Sequence, residues 1–234
     1  MSRISEFESA AHHQAPCGDA LKICEIFYSL QGESSFAGQP CVFVRLSGCN
    51  IRCAWCDTQY AYDEGNFIKI DDIIQKIREF NCNLVEITGG EPMVQKTGAC
   101  RLMQKLLDEG FKVLLETNGT RPLDEVPRGV HRIIDLKPPK SLTMHDEALW
   151  RIYAQQWRDT DEVKCVVADR GDFDWCIEKL QQYGAFYRVI VHFSAVWGKI
   201  DLATLAQWIC DAHLPIRLNV QLQKIIWDPA ARGV

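Results

Sequence analysis

The sequence predicts an α/β fold, a partial TIM-like barrel of parallel strands with outer helices, on three observations. Short apolar runs alternate with longer segments of helical period, the pattern of repeated β-α units. Most of these runs are continuous in Val, Ile and Leu, as in strands covered on both faces. The unusual polar and glycine-rich segments each follow the end of such a run, which is the rim where parallel α/β folds bind ligands.

In chain order, the strands are expected at CVFVRL (41–46), LVEIT (84–88), FKVLLE (111–116), HRIID (131–135), EVKCVV (162–167), YRVIVHF (187–193) and IRLNVQ (216–221). Between them, DDIIQKIREF puts Ile73, Ile74 and Ile77 on one helical face, with Asp71 and Asp72 near the start, where a helix dipole favours anions. TGACRLMQKLLDEG carries a stripe of Leu102, Met103, Leu106 and Leu107 and stops at Gly110. FDWCIEKLQQYG and LATLAQWICDAH repeat the arrangement. Residues 1–21 are polar and read as a solvated arm in which His12 and His13 have no readable role. No linker, low-complexity tract or fixed-period repeat divides residues 22–234, so they form a single domain.

The 234 residues are 47% hydrophobic and 24% charged, enough for a sizeable core. Lys and Arg number 26 against 31 Asp and Glu, a net charge of -5, which argues against a general nucleic-acid-coating surface. No run approaches the roughly 18 apolar residues that cross a bilayer, and the first twenty lack the apolar stretch of a secretory signal. A cytoplasmic protein is expected. Its eleven Cys are then small buried residues or metal ligands rather than a disulfide framework.

GCNIRCAWCDT, after the first expected strand, holds Cys49, Cys53 and Cys56 in C-x3-C-x2-C spacing. Thiolates select zinc or iron-sulfur clusters. A structural zinc ion normally takes four protein ligands, and a cubane usually takes four Cys, so three leave one iron open. Three buried small residues, or part of a zinc site completed elsewhere, remain alternatives at this level. Cys17, Cys24, Cys41, Cys82, Cys100, Cys165, Cys176 and Cys210 lack metal spacing; Cys41, Cys165, Cys176 and Cys210 read as core residues of strands and helices.

GCNIRCAWC followed by TGGEP resembles the radical S-adenosylmethionine superfamily. That resemblance implies a [4Fe-4S] cluster on the three cysteines, with S-adenosylmethionine chelating the open iron and the glycine-rich segment holding its amino end. Gly89 and Gly90 allow close backbone approach, and Glu91 offers an anion to an ammonium. EIFYSLQGE (25–33), FVRLSGCN (43–50), CAWCDT (53–58), ITGGEP (87–92), ETNGT (116–120) and KIIWDPAARGV resemble more closely the 7-carboxy-7-deazaguanine synthase family, from about residue 23 onward. This implies a homodimeric lyase that turns 6-carboxy-5,6,7,8-tetrahydropterin into 7-carboxy-7-deazaguanine with release of ammonia, on the queuosine and 7-deazapurine route, using Mg2+ and an external electron donor such as a flavodoxin.

By position, the resemblance assigns Leu30, Gln31, Gly32, Arg45 and Thr88 to the pterin, with Arg45 pairing its carboxylate, and Thr58 to magnesium. It assigns Trp55, Cys56, Asp57, Gly90, Glu91, Asp135, Leu136, Lys137, Ser194, Ala195 and Val196 to S-adenosylmethionine. No protein residue is assigned as catalytic, because the radical arises on the cofactor. Ser34, Ala195 and Gln223 stand where relatives often have glycine, proline and histidine. The rival readings are a glycyl-radical-enzyme activase and a non-catalytic iron-sulfur or zinc module; metal analysis separates the latter.

Overall fold

The computed structural model describes residues 19–141 and 143–234. Nine strands form one sheet in the order β3-β1-β2-β4-β5-β6-β7-β8-β9, open between β3 and β9, so the expected barrel is partial. The strands are β1 (Ala20–Leu30), β2 (Pro40–Leu46), β3 (Asn66–Lys69), β4 (Leu84–Gly89), β5 (Lys112–Thr117), β6 (His131–Asp135), β7 (Glu162–Val167), β8 (Ile190–Ala195) and β9 (Ile216–Leu218). From β2 to β9 every pairing is parallel, whereas β1 is antiparallel to both β2 and β3. The seven expected strands are all present. β1 and β3 were not expected: Lys22, Glu25 and Tyr28 interrupt the apolar pattern of β1, and β3 is largely exposed.

β8 begins three residues later than the sequence suggests, because Gly184 turns left-handed at φ +62° and Ala185–Tyr187 form a short helical turn. β9 ends at Leu218, after which Asn219 donates its backbone N–H to Phe193 at 2.8 Å and turns toward the interior. β1 opens at Ala20, two residues inside the expected arm; residues 1–18, with His12, His13 and Cys17, lie outside the described residues.

The helices α1 (Ile70–Glu79), α2 (Lys96–Asp108), α3 (Glu147–Gln155), α4 (Arg170–Gln182) and α5 (Leu202–Ala212), with the short α6 (Gln223–Ile226), fill the connections. α1 buries Ile70, Ile73, Ile74 and Ile77, and α2 buries Ala99, Leu102, Met103 and Leu106. Asp146, Asp169 and Asp201 cap α3, α4 and α5 by accepting from the backbone N–H three residues on. α3 was also not expected; its cap and the Leu149, Trp150, Tyr153 face are its signature.

Side chains of successive strand residues face opposite ways, and that alternation divides the molecule. Val42, Val44, Val85, Ile87, Val113, Leu115, Ile134, Val163, Cys165, Val191 and Phe193 pack toward the helices in the main core. Phe36, Cys41, Phe43, Leu84, Leu114 and Ile133 make a smaller apolar plug on the other face. Above it, that concave face turns polar. Cys41, Cys165 and Cys176 are buried as expected, but Cys210 is exposed on α5, which corrects its core assignment.

Candidate functional site

A cavity of about 810 Å³ opens at the C-terminal end of the parallel strands. It joins the three-cysteine loop to the polar half of the concave sheet face. Cys49, Cys53, Trp55, Cys56, Asp57 and Thr58 line one side of it. Leu30, Gln31, Gly32, Arg45 and Thr88 line it from β1, β2 and β4, and Gly90, Asp135, Lys137 and Val196 from later strand ends.

The cysteine loop is tied down by main chain. Gly48 donates to Ala61 O at 2.8 Å, Glu91 donates to Gly48 O at 2.8 Å and Ala54 donates to Ser141 O at 3.0 Å. Asn118 Nδ2 donates to Asn50 Oδ1 at 3.2 Å and stands 3.8 Å from Cys49 Sγ. Burial pushes the Cys49 and Cys53 thiols up, and Lys137 works against that rise at Cys53. A bound metal centre inverts this balance by holding the sulfurs as thiolates. Among the described residues, no three His, Cys, Asp or Glu gather closely enough to hold a single ion. A cube with ligated irons at separate corners suits three thiols that stand apart.

The glycines at the end of β4 serve a purpose the sequence did not reveal. Gly89 has φ +150°, and a Cβ there would press on Leu46 O and lie 2.6 Å from Leu46 N. A Cβ on Gly90 would press on Gly48 O and come 2.8 Å from Cys49 Cβ. Their lack of side chains lets two strand ends and the cysteine loop close on each other. Gly90→Ala is therefore expected to displace the loop and cut cluster content several-fold, measured as iron and sulfide per chain after anaerobic reconstitution.

Glu91, expected at the cofactor's ammonium, is not among the residues that line the cavity. Its side chain is fully buried and accepts from Met93 N at 2.9 Å, Thr117 Oγ1 at 2.9 Å and Asn118 N at 2.6 Å. Burial raises its pKa while those donors oppose the rise. Glu91 fastens the loop that carries Asn118 to the turn after β4. Leu136, Ser194 and Ala195 also lie outside the cavity lining. Leu136 points into the main core, and the Ser194 hydroxyl accepts from Asn219 Nδ2 at 2.8 Å. Asp135 fits a ligand better: Oδ2 pairs with Lys137 Nζ at 2.6 Å, while the buried Oδ1 has no partner among the described residues.

Arg45, expected to need an outside partner, already has one. Its Nε donates to Glu25 Oε1 at 2.7 Å, and the Tyr60 hydroxyl donates to the same oxygen at 2.8 Å. Among the described residues, the other guanidinium N–H groups have no hydrogen bond, so a planar fork remains for an anion in the cavity.

The polar floor was missed apart from Arg45, Gln31 and Thr88. Glu86, Glu116 and Lys164 occupy inward positions of β4, β5 and β7. Lys164 Nζ donates to Glu116 and reaches Glu33 Oε2 at 3.3 Å. Burial works against its charge, but the two carboxylates hold it protonated well above the ordinary lysine value. Burial also pushes Glu33 up; Lys164 and the amides of Gln221 and Gln223 overcome that and bring it down to about 2. Thr88 Oγ1 donates to Glu116 at 3.3 Å. The signal was present, since a charge inside an apolar run requires a partner, but it was applied to Arg45 alone.

Residues 223–234 form the remaining wall. Lys224 pairs with Asp57 at 2.7 Å, and the Arg232 guanidinium lies 3.7 Å from the centre of the Tyr60 ring while pairing with Glu64 at 3.0 Å. Gln223, at the position of a frequent histidine, donates to Glu33 at 3.1 Å, and its Oε1 is buried without a partner among the described residues. Ser34, in place of a frequent glycine, has φ +64° and is held by its N–H donating to Asn219 Oδ1 at 3.0 Å.

Comparison with known proteins agrees with this geometry. Residues 43–145 match the radical SAM superfamily. The chain is 44% identical over 215 residues to a 7-carboxy-7-deazaguanine synthase of Chlorobaculum tepidum, covering 92% of this chain and 97% of that one. It is 39% identical to a synthase of the same name from Koribacter versatilis, covering 92% of this chain and all of the other. A crystal structure of QueE from Escherichia coli shares the fold at a TM-score of 0.69 and 23% identity, covering 87% of this chain and 94% of that one. Three cysteines at the mouth of a polar half-barrel, in a sequence this close to these relatives over nearly its whole length, thus place the chain in the 7-carboxy-7-deazaguanine synthase family of radical S-adenosylmethionine enzymes.

Proposed function

We propose that the protein converts 6-carboxy-5,6,7,8-tetrahydropterin into 7-carboxy-7-deazaguanine with release of ammonia, in the cytoplasm, on the route to queuosine and related 7-deazapurines. The observation that carries this reading is the single cavity that places the three-cysteine loop opposite a floor of Gln31, Arg45, Glu86, Glu116 and Lys164. Cys49, Cys53 and Cys56 would hold the [4Fe-4S] cluster; Trp55, Asp57, Gly90, Asp135, Lys137 and Val196 would hold S-adenosylmethionine. When bound, the two together supply the one-electron chemistry that removes hydrogen from the substrate.

The chain's own residues bind, orient and shield. The free fork of Arg45 takes the pterin carboxylate, and Thr58 would offer its hydroxyl to a magnesium ion, an oxygen-seeking cation that would supply Lewis-acid stabilisation of the substrate's charge. Gln31 and the floor carboxyls hydrogen-bond the ring, fixing which carbon faces the cofactor. Residues 228–234 line the cavity on its remaining side. An external electron donor of the flavodoxin type and a homodimer complete the reading.

Anaerobically reconstituted protein, supplied with the carboxytetrahydropterin, S-adenosylmethionine, magnesium and a reductant, is expected to form the deazaguanine acid and ammonia, detected by mass spectrometry. Cleavage of S-adenosylmethionine without that product would overturn the substrate assignment.

A further inference from the structure

Glu86 is a carboxyl group with one job visible and one side unused. It lies on the inward face of β4 and is 3% exposed. Its Oε2 accepts from Gln31 Nε2, while Gln31 Oε1 accepts from Glu33 N at 3.2 Å, so the Gln31 amide is fixed in one orientation. The main chain of Gln31 is pinned as well, donating to Gln39 O at 2.8 Å and accepting from Gly38 N at 2.7 Å. Glu86 Oε1 has no hydrogen bond among the described residues, yet it is not among the sealed orphan atoms; it borders the cavity.

Three carboxyl groups, Glu33, Glu86 and Glu116, share one ammonium, Lys164, and that ammonium is engaged with Glu33 and Glu116. Burial, reinforced by Glu116, pushes the Glu86 carboxyl well above the usual carboxylate range, against the opposing pull of Gln31 and Lys164. A neutral carboxyl whose Oε2 accepts from an amide carries its proton on Oε1. The remaining group is therefore an O–H donor facing the cavity.

We propose that Glu86 is a specificity residue whose Oε1 donates a hydrogen bond to a ring carbonyl of the substrate, so that the cavity selects a pyrimidinone edge over an amino-substituted one. This rests on the pterin reading, which supplies such a carbonyl at position 4. A ring with an amino group there would set donor against donor in a buried site.

The test measures dissociation constants of two stable ligands, 6-carboxypterin and 2,4-diaminopteridine-6-carboxylate, on reconstituted wild-type, Glu86→Gln and Glu86→Leu proteins. The wild type is expected to favour the carbonyl ring by about tenfold or more, about 1.4 kcal/mol. Glu86→Gln, whose carboxamide accepts from Gln31 and still donates an N–H, should keep that preference. Glu86→Leu should lose it, with iron content unchanged. No preference in the wild type, a preference kept by the Leu variant, or one lost equally by the Gln variant would each overturn the inference. The wild-type ratio stands as a readout if the Leu variant fails to fold. Preference without turnover of the tetrahydropterin overturns the substrate reading alone; binding of neither ring overturns both.

Discussion

Lys164→Met is expected to destabilise the protein by about 3 kcal/mol at neutral pH and to abolish turnover. The substitution removes the cation from a buried pair and strands two carboxylates, the situation in which ion-pair breakage costs most. For a chain of this size that is a fall of roughly 10 °C in the unfolding midpoint. The pH dependence identifies the cause. Glu33 is held at about 2 against an ordinary 4.5, so its contribution is fully present above 4.5 and is lost as the pH falls through 2. In the variant that depression is largely gone, because Lys164 is the main charge lowering Glu33. The gap between the two proteins should therefore be widest near neutrality and should shrink as the pH falls from 4.5 toward 2. Denaturation of cluster-free material across that range measures it. A gap independent of pH would assign the loss to packing instead.

Cys53→Ala is expected to abolish activity as well. It removes one of three cluster ligands, so iron content and cleavage of S-adenosylmethionine should both fall to background. The fold should remain, since Cys53 lies in a loop outside both cores and is only half-buried. A substitution of that kind normally changes stability by about 0.5 kcal/mol or less, a shift of no more than roughly 2 °C. Iron and sulfide quantitation beside a thermal melt reads both. Retained cofactor cleavage would contradict the assignment of the ligand.

The parallel half of the sheet was legible because each of its strands is a continuous apolar run, and a both-faces-covered strand must be one. β1 was not, because an antiparallel strand at the side of the sheet carries Lys22, Glu25 and Tyr28 among its apolar residues. The cysteine loop stood out by its spacing, and its pairing with TGGEP carried the cluster reading. The roles of Gly89, Gly90 and Glu91 were not, because each depends on backbone from β2 and β5 that only the fold brings within reach. Glu86, Glu116 and Lys164 could have been read as one group, since each is an ionisable residue inside an apolar strand at the same inward parity. Sequence reasoning paired residues with ligands and did not pair them with one another.

The wall built by Lys224 and Arg232 has a consequence for biosynthesis. Asp57 and Lys224, like Glu64 and Arg232, are more than 160 residues apart, yet each pair spans the same rim. During translation the cysteines leave the ribosome long before their covering segment exists. The rim beside the cysteine loop is therefore completed only once residues 223–234 have been made.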